Sequence, residues 1–154
     1  MPMSLNDPVR ELLNSVLESR IEAKRIERKL AVLEARVTKV TAELTGMPGG
    51  GTSDRNAALA AFSDLTRDYY ERLVAAEKRE TEVSDFINRL QNSDSRIILK
   101  LRYIDCERWP KVLEAMNRAG RDIEQRQMFK LHSRALAEAR ELYKEIYHDK
   151  KTDS

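Results

Sequence analysis

The stretch "IILKLRYIDCERWPKVLEAM", Ile97–Met116, decides the fold. It opens as an apolar–basic mix and holds the chain's one Trp and one Cys in its middle. It closes on a second amphipathic run. The spacing predicts a helix from about Asp94 to Tyr103, a short turn at "IDCER", and a helix from Trp109 or Pro110 to Arg118. Upstream, "QNSDS" (Gln91–Ser95) is a polar cluster of turn and cap residues. Downstream, Gly120–Asp122 is a second break. A fifth helix is expected from about Ile123 to His148, with Met128, Leu131, Ala135, Leu136, Ala139, Leu142 and Ile146 at helical spacing. The tail "DKKTDS", 149–154, is expected to be disordered.

Further outward lie two long periodic segments. From about Asn6 to Thr45, apolar residues recur at Leu12, Val16, Ala23, Ile26, Leu30, Leu33, Val37, Val40 and Leu44. The steps are mostly threes and fours, which form one stripe on a helix and approach a heptad. Asn6 or Asp7 suits its cap and Pro8 its first turn. Charge fills the other faces, as in "ESRIEAKRIERKLAVLEAR". "TGMPGGGTSD" (Thr45–Asp54) interrupts the pattern with a Gly run and a Pro, and Ser53 or Asp54 suits the next cap. A second stripe follows at Leu59, Phe62, Leu65, Tyr69, Leu73, Ala76, Val83, Ile87 and Leu90. Two helices of similar length joined by a short loop read as an antiparallel hairpin. Arms on the order of 55 Å have little core of their own, so their remaining apolar surface is expected to pack on a partner chain or on the C-terminal unit. The expected architecture is all-α: a coiled-coil-like hairpin over 6–92, then a helix-turn-helix unit over 93–148.

Composition agrees. Charged residues make up 35% of the 154, apolar residues 41% and aromatics only 6%, with five Gly and four Pro. This is the balance of long helices, too apolar for a disordered chain and lean in aromatics for a β-sandwich. The net charge of +2 is not itself an argument for nucleic acid, but it is unevenly spread. Residues 1–92 carry 14 basic and 15 acidic side chains, whereas 93–154 carry 14 and 11. Cys106 stands alone, so no intramolecular disulfide forms, and a reducing, cytoplasmic setting is expected. No run of eighteen apolar residues and no signal-peptide core occurs, so no membrane association is expected.

The order helix, turn, helix, turn, long helix suits a compact DNA-binding unit. In "IEQRQMFKLHSRALAEAR", Met128, Leu131, Ala135 and Leu136 are expected to face inward. Gln125, Arg126, Lys130 and Arg134 are then on outer faces, and Arg121 lies in the preceding turn. Arg and Gln make bidentate contacts to guanine and adenine edges in the major groove, and Lys and Arg suit phosphates.

"RIILKLRYIDCERWPKVLEAM" followed by "QRQMFKLHSRALAEAR" resembles region 4 of sigma-70-type factors. There an Arg-Tyr pair ends the first helix, an aromatic leads the second, and a His-x-Arg-Ala-Leu segment continues the recognition helix. Together with "LTGMPGGGTSD" and "INRLQNSDSRIILKLRYI", the chain is similar over about residues 10–146 to small phage and prophage proteins of Gram-positive bacteria related to late transcriptional regulators of the RinA and ArpU type. The resemblance implies a sequence-specific transcriptional regulator that binds double-stranded DNA, with Gln125, Arg126 and Lys130 facing the groove and Arg134 near phosphate. It departs from the pattern at "NRAGRDIEQ" (Asn117–Gln125), where the usual connection is a tight Gly-x-Ser turn. The hairpin is expected to make a homodimer or to dock on RNA polymerase.

Other readings stay open. One is a DNA-packaging assembly protein like a small terminase subunit; another is a protein-interaction module without DNA binding. Trp109 is expected to anchor the core, Cys106 to be a passive turn thiol, and His132 to lie at the surface or pack at a hinge. The Gly run lacks the Gly-Lys-Ser/Thr ending and preceding strand of a phosphate loop. Nothing points to catalytic residues, a metal or another cofactor, and the chain is not expected to be an enzyme.

Overall fold

The structure is a computed structural model, and residues 7–44 and 52–152 are described. The Gly-rich connection, the cap considered at Asn6, the last two tail residues and the side chains of Val40, Leu44 and Ser53 lie outside the described residues. The fold is all-α, with no strand among the described residues. In order come α1 (Pro8–Leu44), α2 (Thr52–Asn88), α3 (Ser93–Leu99), a π-helical turn Lys100–Ile104 that continues α3, α4 (Trp109–Arg118) and α5 (Gln125–Thr152). The chain divides into two compact units. One comprises Met1–Leu17 and Lys78–Ser154; the other, the arm, is Glu18–Glu77.

The first unit is built around one core. Val9, Leu13 and Val16 recur at helical spacing on the first turns of α1. They join Val83, Phe86 and Ile87 of α2, Leu90 in the turn after it, Ile98 and Leu99 of α3, Val112 and Met116 of α4, and Met128, Ala135, Leu136 and Ala139 of α5. Leu13 rather than Leu12 is the buried leucine, because it is Leu13 that lies in line with Val9 and Val16; Leu12 packs at the rim. Phe86 adds a ring beside Ile87. This unit therefore takes in both ends of the long helices as well as the segment after residue 92.

Caps and turns set the boundaries. The Asp7 carboxylate accepts the Val9 amide at 3.1 Å, and Pro8 needs no donor in the first turn. The other Asp7 oxygen accepts from Arg140 of α5 at 2.9 Å, tying the two helices. Burial pushes the Asp7 carboxyl up, but Arg140 and the Val9 and Arg10 amides outweigh it and hold the group below its usual 3.8. Asn92 caps α3, its side chain accepting from the Asp94 and Ser95 amides. Arg96 reaches back to the carbonyls of Leu90 and Gln91 in the turn after α2.

The Asp105 amide bonds to the Lys100 carbonyl at 2.9 Å, the five-residue step of a π-turn. Cys106, at φ +57°, then turns the chain out of the helix. Pro110 sits in the first turn of α4. The connection to α5 is ordered: Gly120 adopts φ +87° and Asp122 φ +48°, and the Asn117 side chain accepts the Ile123 amide at 2.7 Å. α5 begins at Gln125, later than the expected Ile123. It runs on to Thr152, past the expected end at His148, because no Gly or Pro intervenes to stop it.

The arm is thinner. α1 and α2 are 37 residues each, about 55 Å at 1.5 Å per residue. The stretch 45–51 is too short to carry the chain back along such a length, so two helices packed side by side must run antiparallel. Arg72 meets Glu22 across them at 3.2 Å. Only Ala23, Ile26 and Ala76 are buried hydrophobics here among the described residues. The expected stripe is right in position but shallow: Leu30, Leu33, Phe62, Leu65, Tyr69 and Leu73 are half-buried, and Leu59 is exposed.

Candidate nucleic-acid interface

The first turns of α5 set the geometry of the site. Met128, Ala135, Leu136 and Ala139 are buried, as the inward stripe requires, and Leu131 packs against them. The helix must then present the opposite positions outward. Gln125, Arg126, Lys130 and Arg134 are exposed, and the three cations form no ion pair with a described residue. The steps from 126 to 130 to 134 are one helical turn each, so the cations form a row. α5 also lacks an acid in its first turn, whereas α1, α2 and α3 carry Glu11, Asp54 and Asp94 there. The acid nearest this helix end is Glu124, one residue before its first turn. Glu124 precedes the helix, where its amide donates to the Gln127 side chain at 2.9 Å, half of a capping box.

Arg121 is placed differently. Its Nε lies 2.7 Å from an Asp94 carboxylate oxygen, with both side chains about one-third exposed. This pair pins the α4–α5 connection to the first turn of α3. Arg121 still faces Lys130 and Arg134 across a cavity of about 380 Å³, with Ile123 and Leu131 at its base.

Around the helix from that cavity is a shallow surface formed by Arg126, Phe129, Lys130, Ser133 and Arg134. Sequence reading did not single out Phe129. The available signal was an apolar residue one position off the inward stripe, directly after Met128. The residue is 38% exposed, and its ring stands edge-on to Trp109 at 5.2 Å. Trp109 fills the expected role of anchor. Arg102 lies 4.6 Å over its ring, and His132 approaches at 4.6 Å from α5.

His132 is not a surface residue. It is buried, and its Nε2 lies 2.8 Å from the Tyr103 hydroxyl. The surface alternative failed because its partner is 29 residues away in sequence, where local pattern carries no information. Burial first, then the positive charges of Arg10, Arg102 and Arg140, push the imidazole down to about 4. Burial pushes the Tyr103 hydroxyl up. Both groups are therefore uncharged at neutral pH, and their hydrogen bond fixes α5 against the turn after α3.

One face farther along α5 gathers acidic side chains. Glu138, Glu141 and Glu145, with Arg89 and Asn92 from the α2–α3 turn, line a cavity of about 620 Å³. A polyanion is thus attracted to the first half of the helix and repelled from this face of the second. No group of three His, Cys, Asp or Glu able to hold a metal occurs among the described residues, and none of their helices is long and apolar enough to cross a membrane. Cys106 is half-buried in its turn.

No curated protein and no solved structure matches the chain. A family model matches residues 59–139, more than half of the sequence, from the arm portion of α2 through the cationic row to Ala139. The chain therefore belongs to the DUF1492 family, described as "Protein of unknown function".

Proposed function

We propose that the protein binds double-stranded DNA and regulates transcription, inserting the start of α5 into the major groove. The observation that carries this reading is the row Arg126, Lys130 and Arg134, exposed and without ion-pair partners among the described residues, along the first turns of α5. Phosphate neutralisation by such a row supplies sequence-independent affinity, and Gln125 and Arg126 are of the types that read base edges. The resemblance of Arg96–Met116 and Gln125–Arg140 to sigma region 4, and to phage and prophage regulators of the RinA and ArpU type, supports the same reading. The face of α5 lined by Glu138, Glu141 and Glu145 is left out of the contact, and Arg121 and Lys130 flank the first turns as phosphate contacts.

One such helix reads few base pairs, so a homodimer is the working unit. The exposed Ile21, Val32, Tyr70 and Val74 of the arm favour self-association there; RNA polymerase is the alternative docking partner. The same exposed residues favour a second reading, an assembly protein of the small-terminase kind. The mass of the protein in solution separates them: a dimer fits the regulator, and a ring of many copies fits the assembly protein.

The central test is fluorescence anisotropy on duplex DNA over a salt series. Affinity should fall steeply with salt. Arg126→Ala and Lys130→Ala should each weaken binding on the order of tenfold, and the salt slope should drop by about one for each phosphate no longer neutralised. Absence of binding at low salt, or affinity that both variants retain, would overturn the proposal and turn attention to protein partners of the arm.

A further inference from the structure

We infer that Phe129 is a base-selective contact of this surface, packing the rim of its ring on the 5-methyl group of a thymine in the major groove. The inference rests on the DNA-binding reading and goes beyond it by naming the base. It starts from an anomaly: α5 shows a large apolar residue in the middle of its cationic face, 38% exposed, between Arg126 one turn before, Lys130 beside it and Ser133 one turn after. A lone half-exposed Phe on a protein surface needs no explanation. This one shares a shallow depression with the cations of the row, so anything the cations hold is brought against the ring.

The ring is also held. Trp109 meets it edge-to-face at 5.2 Å and 67°. Trp109 is itself fixed by Arg102 over its ring and by the buried His132. The exposed rim is therefore presented at a set position with little side-chain freedom to lose on binding. Of the four bases, only thymine projects a methyl group into the major groove; cytosine offers a smaller C5–H there, and the purine edges present donors and acceptors that a phenyl ring would leave unsatisfied. A fixed phenyl rim flanked by two phosphate-seeking cations matches that pattern.

The test begins with wild-type full-length protein and a pool of random-sequence duplexes. The tightest duplex recovered is resynthesised with deoxyuridine replacing each thymine in turn, which removes only the methyl group. One thymine per half-site should weaken binding roughly fourfold when replaced, the worth of one buried methyl. Phe129→Ala should bind thymine and uracil duplexes equally at that position, and Phe129→Leu should keep part of the difference. If duplexes are recovered but no position senses the methyl, or the sensitivity persists in Phe129→Ala, the assignment to Phe129 fails while the DNA-binding reading stands. If no duplex is enriched, both fail. Where Phe129→Ala does not fold, the uracil series on wild-type protein still decides whether a methyl group is sensed, and Phe129→Leu decides whether Phe129 senses it.

Discussion

The compact unit and the arm are made of the same two long helices, yet they differ in what holds them. In the unit, α1 contributes Val9, Leu13 and Val16 to a core shared with four other helices. In the arm, the continuation of α1 buries only Ala23 and Ile26 among the described residues and leaves Ile21 and Val32 more than half exposed. The stripe of threes and fours is similar in both. What changes is the number of neighbours available to cover it. Periodicity thus says which face of a helix is apolar; tertiary context decides how deeply that face is buried.

The sharpest way to break this comparison is truncation of equivalent residues. Leu13→Ala and Met116→Ala should each cost ~2–5 kcal/mol in denaturant unfolding, through lost burial and a residual cavity. At concentrations too low for self-association, Val32→Ala should stay within ~0.5 kcal/mol. Equal losses at Leu13 and Val32 would mean that the arm is covered in solution, and the Val32→Ala loss should then depend on protein concentration.

A second expectation concerns the buried pair in the unit. His132 titrates near 4 in the fold and near 6.5 when unfolded. The unfolded chain therefore binds the extra proton between these values. Stability from this residue is complete above pH 6.5 and falls as pH drops towards 4, by on the order of 3 kcal/mol in all. Melting curves across that range should flatten in His132→Gln relative to wild type. An unchanged slope would place the imidazole in water.

Smaller effects follow. Asp7→Ala removes a cap and the partner of Arg140, and should cost ~1–2 kcal/mol at neutral pH. Because the Asp7 carboxyl lies below 3.8 in the fold, its contribution is present above that value. The gap between variant and wild type should close as pH falls below it. Arg72→Ala in the arm breaks a pair whose side chains are both about half exposed, and less than ~0.5 kcal/mol should be lost, decreasing with salt.

Much of this was legible in the sequence because it was local. Pro110 after Trp109, the cap cluster at Gln91–Ser95 and Asp7 before Pro8 mark their helix ends within a few residues. Met128, Ala135, Leu136 and Ala139 mark the inner face of α5, and with it the outward Gln125, Arg126, Lys130 and Arg134. What escaped was non-local. The Asp94–Arg121 pair, the Tyr103–His132 bond and the Trp109–Phe129 contact each join residues 20 or more positions apart. The π-turn at Lys100–Ile104 escaped for another reason: its composition is that of any amphipathic helix, and only the Asp105 amide reveals the wider winding.

The packing around Trp109 has an optical consequence. It is the only tryptophan in the chain, so its emission comes from one place. An imidazolium quenches an adjacent indole, so emission should dim as His132 takes up its proton, reporting that site without a label. Phe129 links the same indole to the edge of the cationic row, where a duplex docked on α5 would change its surroundings. One wavelength then reads the acid sensitivity of the core and the occupancy of the surface, and the two are separable because the first follows pH and the second follows salt.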